Sequence, residues 1–318
     1  MNPMTIKSSF LLVSLAVALV TGCGKSEPTA PAPQSASKGR LVGVSFQTMN
    51  NPFFVDLNDG LKAVVEAYGD RLVTLDAQFN SLKQKNDISD LILQGAAVIF
   101  LNPVNWEGIR GSLLQAKQKG IPIIVVDAPV KDQELVLSTV ASDNVEAGRL
   151  AARALVQAGK PERIGVLQQS LNKACIDRVA GFKEELAKHP EMKIVDAQEI
   201  KGSIESSRPV MRDMIGRHPD LNAIFAINDP TALGAISALE SAGKLSGVKI
   251  VAVDGAVEAV RAIKDGKLLA TSAQFPKEIG RASAELAYDH LAGKPVEKDV
   301  KVKVELITRE NADGLLKK

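Results

Sequence analysis

Residues 41–68 read LVGVSFQTMNNPFFVDLNDGLKAVVEAY. The run 41–46 is short and apolar, as in a strand buried on both faces, and 55–68 is an amphipathic helical stretch. Between them the turn sets Asn50 and Asn51 beside Phe53 and Phe54. Aromatic residues make up only 4% of the chain, so two side by side next to two carboxamides form a concentrated signal. Amides hydrogen-bond hydroxyls, and aromatic faces stack on the C–H face of a sugar ring. A loop offering both at a strand's end reads as half of a carbohydrate-binding cleft.

The same strand–turn–helix unit recurs along the chain. Strands are expected at 41–46, 72–75, 97–101, 123–126, 164–167, 194–197, 223–227, 250–253 and 269–273. Helices are expected at 55–68, 82–93, 107–119, 145–158, 176–188, 208–217, 232–242, 257–264 and 278–291. Gly69, Gly120, Gly159, Gly243 and Gly293 punctuate helix ends. Continuous apolar runs separated by helices imply parallel sheets covered on both faces, an α/β fold.

The first strand runs into Gln47 and Asn51, and the others end at Asp76, Asn102, Asp127, Gln168, Asn228, Asp254 and Gln274. In open α/β sheets, ligands bind outside the carboxyl ends of the strands. Side chains of this kind would ring one crevice with donors and acceptors. Asn and Asp at such places also cap the following helices. Asn102 before Pro103 and the run Asn228-Asp229-Pro230 are open to being caps or turns alone; Gln274 is not, because Gln caps poorly.

At the amino end, Lys7 precedes an apolar run over 10–20 that is too short to span a bilayer and has the layout of a secretory signal. Val20-Thr21-Gly22-Cys23 resembles a bacterial lipobox, which implies a signal peptide at 1–22 and diacylglyceration of the Cys23 thiol. An ordinary cleaved signal ending at a cysteine is the alternative. Residues 25–37 are rich in Pro, Ala, Ser and Gln and cannot bury a core, so 23–38 reads as a flexible tether. A net charge of +2 with no Lys/Arg block argues against nucleic acid. Cys23 and Cys175, the two cysteines, are not expected to pair. His189, His218 and His290 are scattered and no calcium-loop pattern occurs, so neither a metal nor a cofactor is expected.

Seven segments, taken in order, resemble the ribose-type sugar-binding proteins of ABC importers, whose two-lobed fold is shared by the ligand-binding core of LacI-type repressors. They are residues 50–54, 102–103, 141–144, 178–182, 225–229, 253–255 and 273–274, spread over nearly all of the mature chain. The resemblance implies a type I periplasmic binding protein fold: two Rossmann-like lobes with parallel sheets, joined by a three-strand hinge near Ser142, Gln274 and Lys303. One lobe would combine 39–142 with 275–303 and the other 143–274 with 304–318. A monosaccharide or polyol would be trapped as the lobes close, then delivered by a monomeric, lipid-anchored protein to an ABC permease.

The same resemblance assigns roles. Asn51, Asn102 and Asp127 match hydroxyl-binding positions, Phe53 and Phe54 match ring-stacking ones, and Arg178 matches an arginine that donates to sugar oxygens. Asn228, Asp254 and Gln274 complete the set. Read without the family, Phe53 and Phe54 are helix-start packing, Arg178 is a solvated helix charge, and Asp254 is a turn residue before Gly255. Ala128 stands where ribose binders carry arginine, Val253 where they carry an aromatic, and no aromatic occurs near 201–203. A changed lining implies a changed ligand, whether another pentose, a hexose or a polyol. Trp106 would supply a stacking face, or else packs at a helix start; Gln169, Asn172 and Lys173 are further cleft candidates.

Enzyme readings lack support. There is no G-x-G-x-x-G turn, P-loop or G-x-S-x-G elbow, and only the pair Asp127 and Asp254 resembles a hydrolase's two carboxylates. A repressor needs a helix-turn-helix before the first strand, where a signal and spacer stand instead. A ligand-sensing subunit for a chemotaxis or two-component receptor remains the alternative to transport, because the difference lies in the partner.

Overall fold

The computed structural model describes residues 39–159 and 163–316. The expected signal peptide, Cys23 and the tether lie outside the described residues. The first half of the described chain runs β1 (Leu41–Phe46), α1 (Pro52–Ala67), β2 (Arg71–Asp76), α2 (Ser81–Leu93), β3 (Val98–Leu101), α3 (Arg110–Gln118), β4 (Ile123–Val126) and β5 (Ser138–Ser142). It continues α4 (Asn144–Gln157), β6 (Arg163–Gln168), α5 (Lys173–Leu186), β7 (Lys193–Glu199), α6 (Ile204–Arg217), β8 (Ala223–Ala226), α7 (Asp229–Ser241) and β9 (Lys249–Asp254). The last elements are α8 (Val257–Lys264), β10 (Ala270–Ala273), α9 (Pro276–Leu291), β11 (Asp299–Val302), β12 (Glu305–Ile307) and α10 (Ala312–Leu316).

Two six-stranded sheets result, in the orders β11-β5-β4-β3-β1-β2 and β12-β10-β9-β8-β6-β7. In each, the first strand lies between the second and the third, so the chain reverses its winding there, and this is where the crevice of an open α/β sheet forms. Every pairing is parallel except β10 with β12, which is antiparallel. The chain leaves the first sheet after β5, returns after β10, and crosses once more between β11 and β12, giving two lobes joined by three strands. Helix α4 packs on β9 and β10, whereas α9 packs on α1, β4 and β5.

Strands β3, β4 and β8 are buried at every residue, which is why they read as uninterrupted apolar runs; β10 is as fully buried but carries Thr271 and Ser272. The first sheet carries a core on each face, one around Phe46, Phe54 and Leu57 and one around Ile88, Leu91 and Ile99. A larger core around Phe182, Phe225 and Met214 fills the second lobe.

Three strands go beyond those expected. β5 reads STVAS and is wholly buried, and its small polar residues carry no apolar pattern. β11 and β12 are short and partly exposed. Several helices start earlier than their apolar pattern, because a capping side chain sets the first turn. Asn51 starts α1 at Pro52, Asn172 starts α5 at Lys173, and the reciprocal Ser203–Ser206 capping box starts α6 at Ile204. Helix α3 begins later than expected, at Arg110, because the Asn105 side chain takes the N–H groups of Glu107 and Gly108 into a turn.

Candidate ligand-binding cleft

The carboxyl ends of both sheets face one cavity. The first lobe contributes Gln47, Thr48, Asn51, Phe53, Phe54 and Asp127 to its wall, and the second contributes Asn172, Cys175, Arg178, Asn228, Asp254 and Gln274. The cavity between the walls is small, about 30 Å³. The walls therefore stand close together.

On the first wall, Asn51 does two jobs. Its Oδ1 accepts from the Phe53 N–H at 3.0 Å, capping α1, while its Nδ2 reaches across the cleft and donates to Asp254 Oδ2 at 3.4 Å. Phe53 and Phe54 meet edge to face at 5.2 Å, and Phe46 lies 5.7 Å from Phe54, so both rings belong to the core and to the cavity wall. Asp127 follows β4 at a positive φ of 67°. Its Oδ2 accepts from Asn102 Nδ2 at 2.9 Å. Asn102 itself is fully buried behind the wall: its Oδ1 accepts from the Gln47 N–H at 3.2 Å, and its carbonyl accepts from Gln84 Nε2 at 2.8 Å. Asn102 thus orients Asp127 and does not line the cavity.

On the second wall, Arg178 is buried. Its Nε donates to Asn144 Oδ1 and its Nη1 to the Ile227 carbonyl, both at 2.8 Å, and Nη1 stands 3.5 Å from Asp254 Oδ1. Helices α4 and α5 cross closely enough to seat it. A Cβ on Gly148 would fall 1.9 Å from the Arg178 carbonyl oxygen, and one on Gly181 1.9 Å from that of Val145. Gln274 Nε2 donates to Asp254 Oδ1 at 2.7 Å. Asn228 caps α7 by accepting from the Thr231 N–H at 3.0 Å, and its Nδ2 donates to the Gly202 carbonyl at 3.0 Å. It is a cap and a wall residue at once.

One guanidinium, that of Arg178, acts on two of three buried carboxylates, Asp127 and Asp254. Burial pushes Asp127 up to about 7; the Asp254 charge adds to this, while Arg178 and the Asn102 hydrogen bond oppose it. Burial also raises Asp254, against the pull of Arg178, Gln274 and Asn51. Asp229, just beneath, is raised well above its usual range by burial and by Asp254, although Thr271 Oγ1 and the Ala256 N–H each donate to it at 2.7 Å. Burial pushes the Cys175 thiol up to about 12, which keeps it protonated and unreactive at neutral pH. Three buried acceptors on the cavity wall, Gln47 Oε1, Asp127 Oδ1 and Gln274 Oε1, have no hydrogen-bond partner. Among the described residues, no group of three or more His, Cys, Asp or Glu is placed to hold a metal.

Not every strand end reaches the cavity. Asp76 turns back to accept from the Gln78 N–H, and Gln168 donates to Glu199, both in exposed settings. Trp106 sits at the meeting line of the lobes, outside the wall: its backbone N–H donates to the Leu171 carbonyl at 3.1 Å, and Lys173 Nζ stands 6.0 Å above its ring. Lys173 pairs with Asp177, whereas Gln169 and Asn172 line the cavity. Thr48, Phe79, Cys175 and Lys201 line it too, although no feature of the sequence marks them. Phe79 lies in a turn whose N–H reaches the Gln47 carbonyl at 2.7 Å, a contact between distant segments that leaves no local sequence signal.

Residues 42–295 match the family described as periplasmic binding protein domain. The chain belongs to the periplasmic binding proteins. This periplasmic binding protein is 33% identical over 308 residues to the ribose import binding protein of Bacillus subtilis (strain 168), covering 96% of this chain and 99% of that one. With the ribose import binding protein of Escherichia coli (strain K12) it shares 34% identity over 271 residues, 85% of this chain and 90% of the other. A solved ABC transporter solute binding protein from Mycobacterium smegmatis, with bound glycerol, matches at a TM-score of 0.82 and 34% identity, covering 87% of this chain and 96% of that one. Periplasmic binding proteins of importers bind solutes outside the cytoplasm, so the family is one of capture and transport.

Proposed function

We propose that this protein captures a monosaccharide or sugar-like polyol between its lobes and hands it unchanged to an ABC permease. The reading is carried by two buried, unpartnered acceptors on opposite walls, Asp127 Oδ1 and Gln274 Oε1, beside the Arg178 guanidinium and the Phe53 and Phe54 rings. A polyhydroxylated ligand supplies donors to both acceptors and a C–H face to the rings. An apolar ligand would leave buried acceptors unpaired, at a cost of about 1–3 kcal/mol each.

In this reading Asn51, Asn228 and Asp254 add hydrogen bonds from both walls. Asn102 acts through Asp127, and Trp106 acts where the lobes meet. A ligand touching both walls favours the closed arrangement because only there are all its contacts made. The relatives named for ribose support a small sugar, while Ala128 and Val253 favour a pentose, hexose or polyol other than ribose. The sheet membership of the strands supports a first lobe of 39–142 with 275–303 and a second of 143–274 with 304–318. The resemblance of residues 20–23 to a lipobox supports tethering to the membrane through Cys23 and the segment 23–38.

The test is thermal melting of the protein against pentoses, hexoses, polyols and nucleosides. A ligand that binds only the folded state stabilises it by about 2.7 kcal/mol at a hundred times its dissociation constant. A shift of several degrees with one sugar or polyol is expected. Stabilisation by a nucleoside alone, or by none of them, would refute the carbohydrate reading.

A further inference from the structure

The two lobes open onto the cleft with the same three kinds of side chain at corresponding stations. Gln47 is the first residue after β1, and Gln169 the first after β6. Asn51 caps α1 and Asn172 caps α5, the helices that follow those strands. Asp127 directly follows β4, and Asp254 closes β9, both at positive φ. All six residues line the cavity.

Four members of the two triads have the hydrogen bonds just described: the asparagines cap their helices, and the aspartates accept from Asn102 or Gln274. Gln47 differs. The residue is only 5% exposed, and its backbone is held on both sides, the N–H by Asn102 Oδ1 and the carbonyl by the Phe79 N–H. Its Oε1 is buried on the cavity wall without a partner. A buried acceptor left unmatched destabilises the protein that carries it. Its opposite number, Gln169, is less deeply placed, with its Oε1 3.6 Å from Cys175 Sγ.

We propose that Gln47 is a specificity-determining contact whose Oε1 accepts a hydroxyl from the end of the ligand nearest β1, and that Gln169 takes the corresponding place on the facing wall. This rests on the sugar or polyol reading of the cleft. It narrows the ligand to molecules carrying hydroxyls toward both strand ends, because a site built to take a hydroxyl rejects the analogue that lacks it. A sugar deoxygenated at that end is excluded.

The test uses Gln47→Leu, close in size but without an acceptor, and Gln47→Glu, which keeps one. Calorimetric titrations with D-ribose, xylitol and myo-inositol are paired with melting of the ligand-free proteins. Gln47→Leu is expected to weaken whichever of the three the wild type binds by about tenfold or more. Gln47→Glu should retain more of the affinity, and the ligand-free Gln47→Leu protein should melt no lower than the wild type. Unchanged affinity in Gln47→Leu, or a ligand-free melting temperature several degrees lower, overturns the proposal. If the wild type binds none of the three, the sugar reading fails for these probes and the ligand-free melt still decides Gln47: a rise marks a group kept for a ligand, a fall a structural one.

Discussion

Asp127 and Asp254 stand at corresponding strand ends of the two lobes, both at positive φ (67° and 138°), with one buried cation, Arg178, acting on both. Positive φ is uncommon for any residue but glycine and persists where the surroundings over-determine it, often at ligand sites. Arg178 reaches Asp254 within its own lobe at 3.5 Å. Asp127 comes under its influence only because the two walls face each other closely.

Stability in the absence of ligand should therefore depend on pH. The folded protein holds the Asp127 proton up to about 7, against an ordinary 3.8 for an aspartate. Between those values the folded state binds more protons than the unfolded one, so this contribution is full below the lower value and is lost as pH rises through the upper one. Asp254 and Asp229 are shifted in the same direction. The melting temperature of the ligand-free protein is expected to fall between about pH 4 and pH 7. Asp127→Asn should flatten that fall; an equally steep profile in the variant would remove Asp127 as its source.

Arg178→Ala should abolish ligand binding and also weaken the fold. It strips the cation from Asp254 and leaves Asn144 Oδ1 and the Ile227 carbonyl without a donor. Removing one partner of a buried pair typically costs about 3–5 kcal/mol. Arg178→Lys should rescue little, because a lysine cannot make the two fixed bonds to Asn144 and Ile227 together. Urea unfolding and a ligand titration measure the two effects separately.

The α4–α5 crossing predicts a remote effect on the cleft. Gly148→Ala places a methyl against the Arg178 carbonyl, and backbone cannot yield as a flexible side chain does. A loss of about 1–3 kcal/mol is expected, with weaker ligand binding as α5 is pushed aside. Gly216→Ala in α6, where a Cβ meets nothing within 4 Å, serves as the control and should be neutral or stabilising.

Trp106, the chain's single tryptophan, lies on the line where the lobes meet, with Lys173 above its ring. Its fluorescence should change in one saturable step as ligand draws the walls together. An emission spectrum that stays constant through a titration that calorimetry shows to saturate would mean that the Trp106–Leu171 contact does not open.

Cys23→Ser should release the protein from the membrane fraction and abolish its labelling by a fatty-acid analogue. A variant that remains membrane-bound would point to an anchor other than lipid at Cys23.

The alternation of strand and helix was legible because strands buried on both faces, such as β3 and β4, must be apolar throughout, whereas their covering helices need only one apolar stripe. β5 is illegible for the converse reason. Its Ser and Thr residues are buried, and partners such as Gln133, which accepts from Thr139 Oγ1, are invisible to a local pattern.

The site was legible where chemistry and position coincided. Asn51, Asp127, Asn228, Asp254 and Gln274 come to one cavity, as their places at strand ends implied; Phe53 and Phe54 line it beside Asn51, and Arg178 lines it where only the family resemblance had put it. Asp76 and Gln168 carry the same signal and turn elsewhere, since a strand end does not fix where its side chain points.

The order and type of the elements and the donor and acceptor chemistry at their ends reside in the sequence, because each is set by neighbours along the chain. Which side chains line the cavity, that Asn102 stands behind Asp127, that Gln47 keeps an open acceptor, and that one arginine is shared between two walls were decided only by tertiary structure. Those relations depend on register, burial and the approach of distant segments, such as Asn51 and Asp254, which lie 203 residues apart. No local pattern encodes such distances.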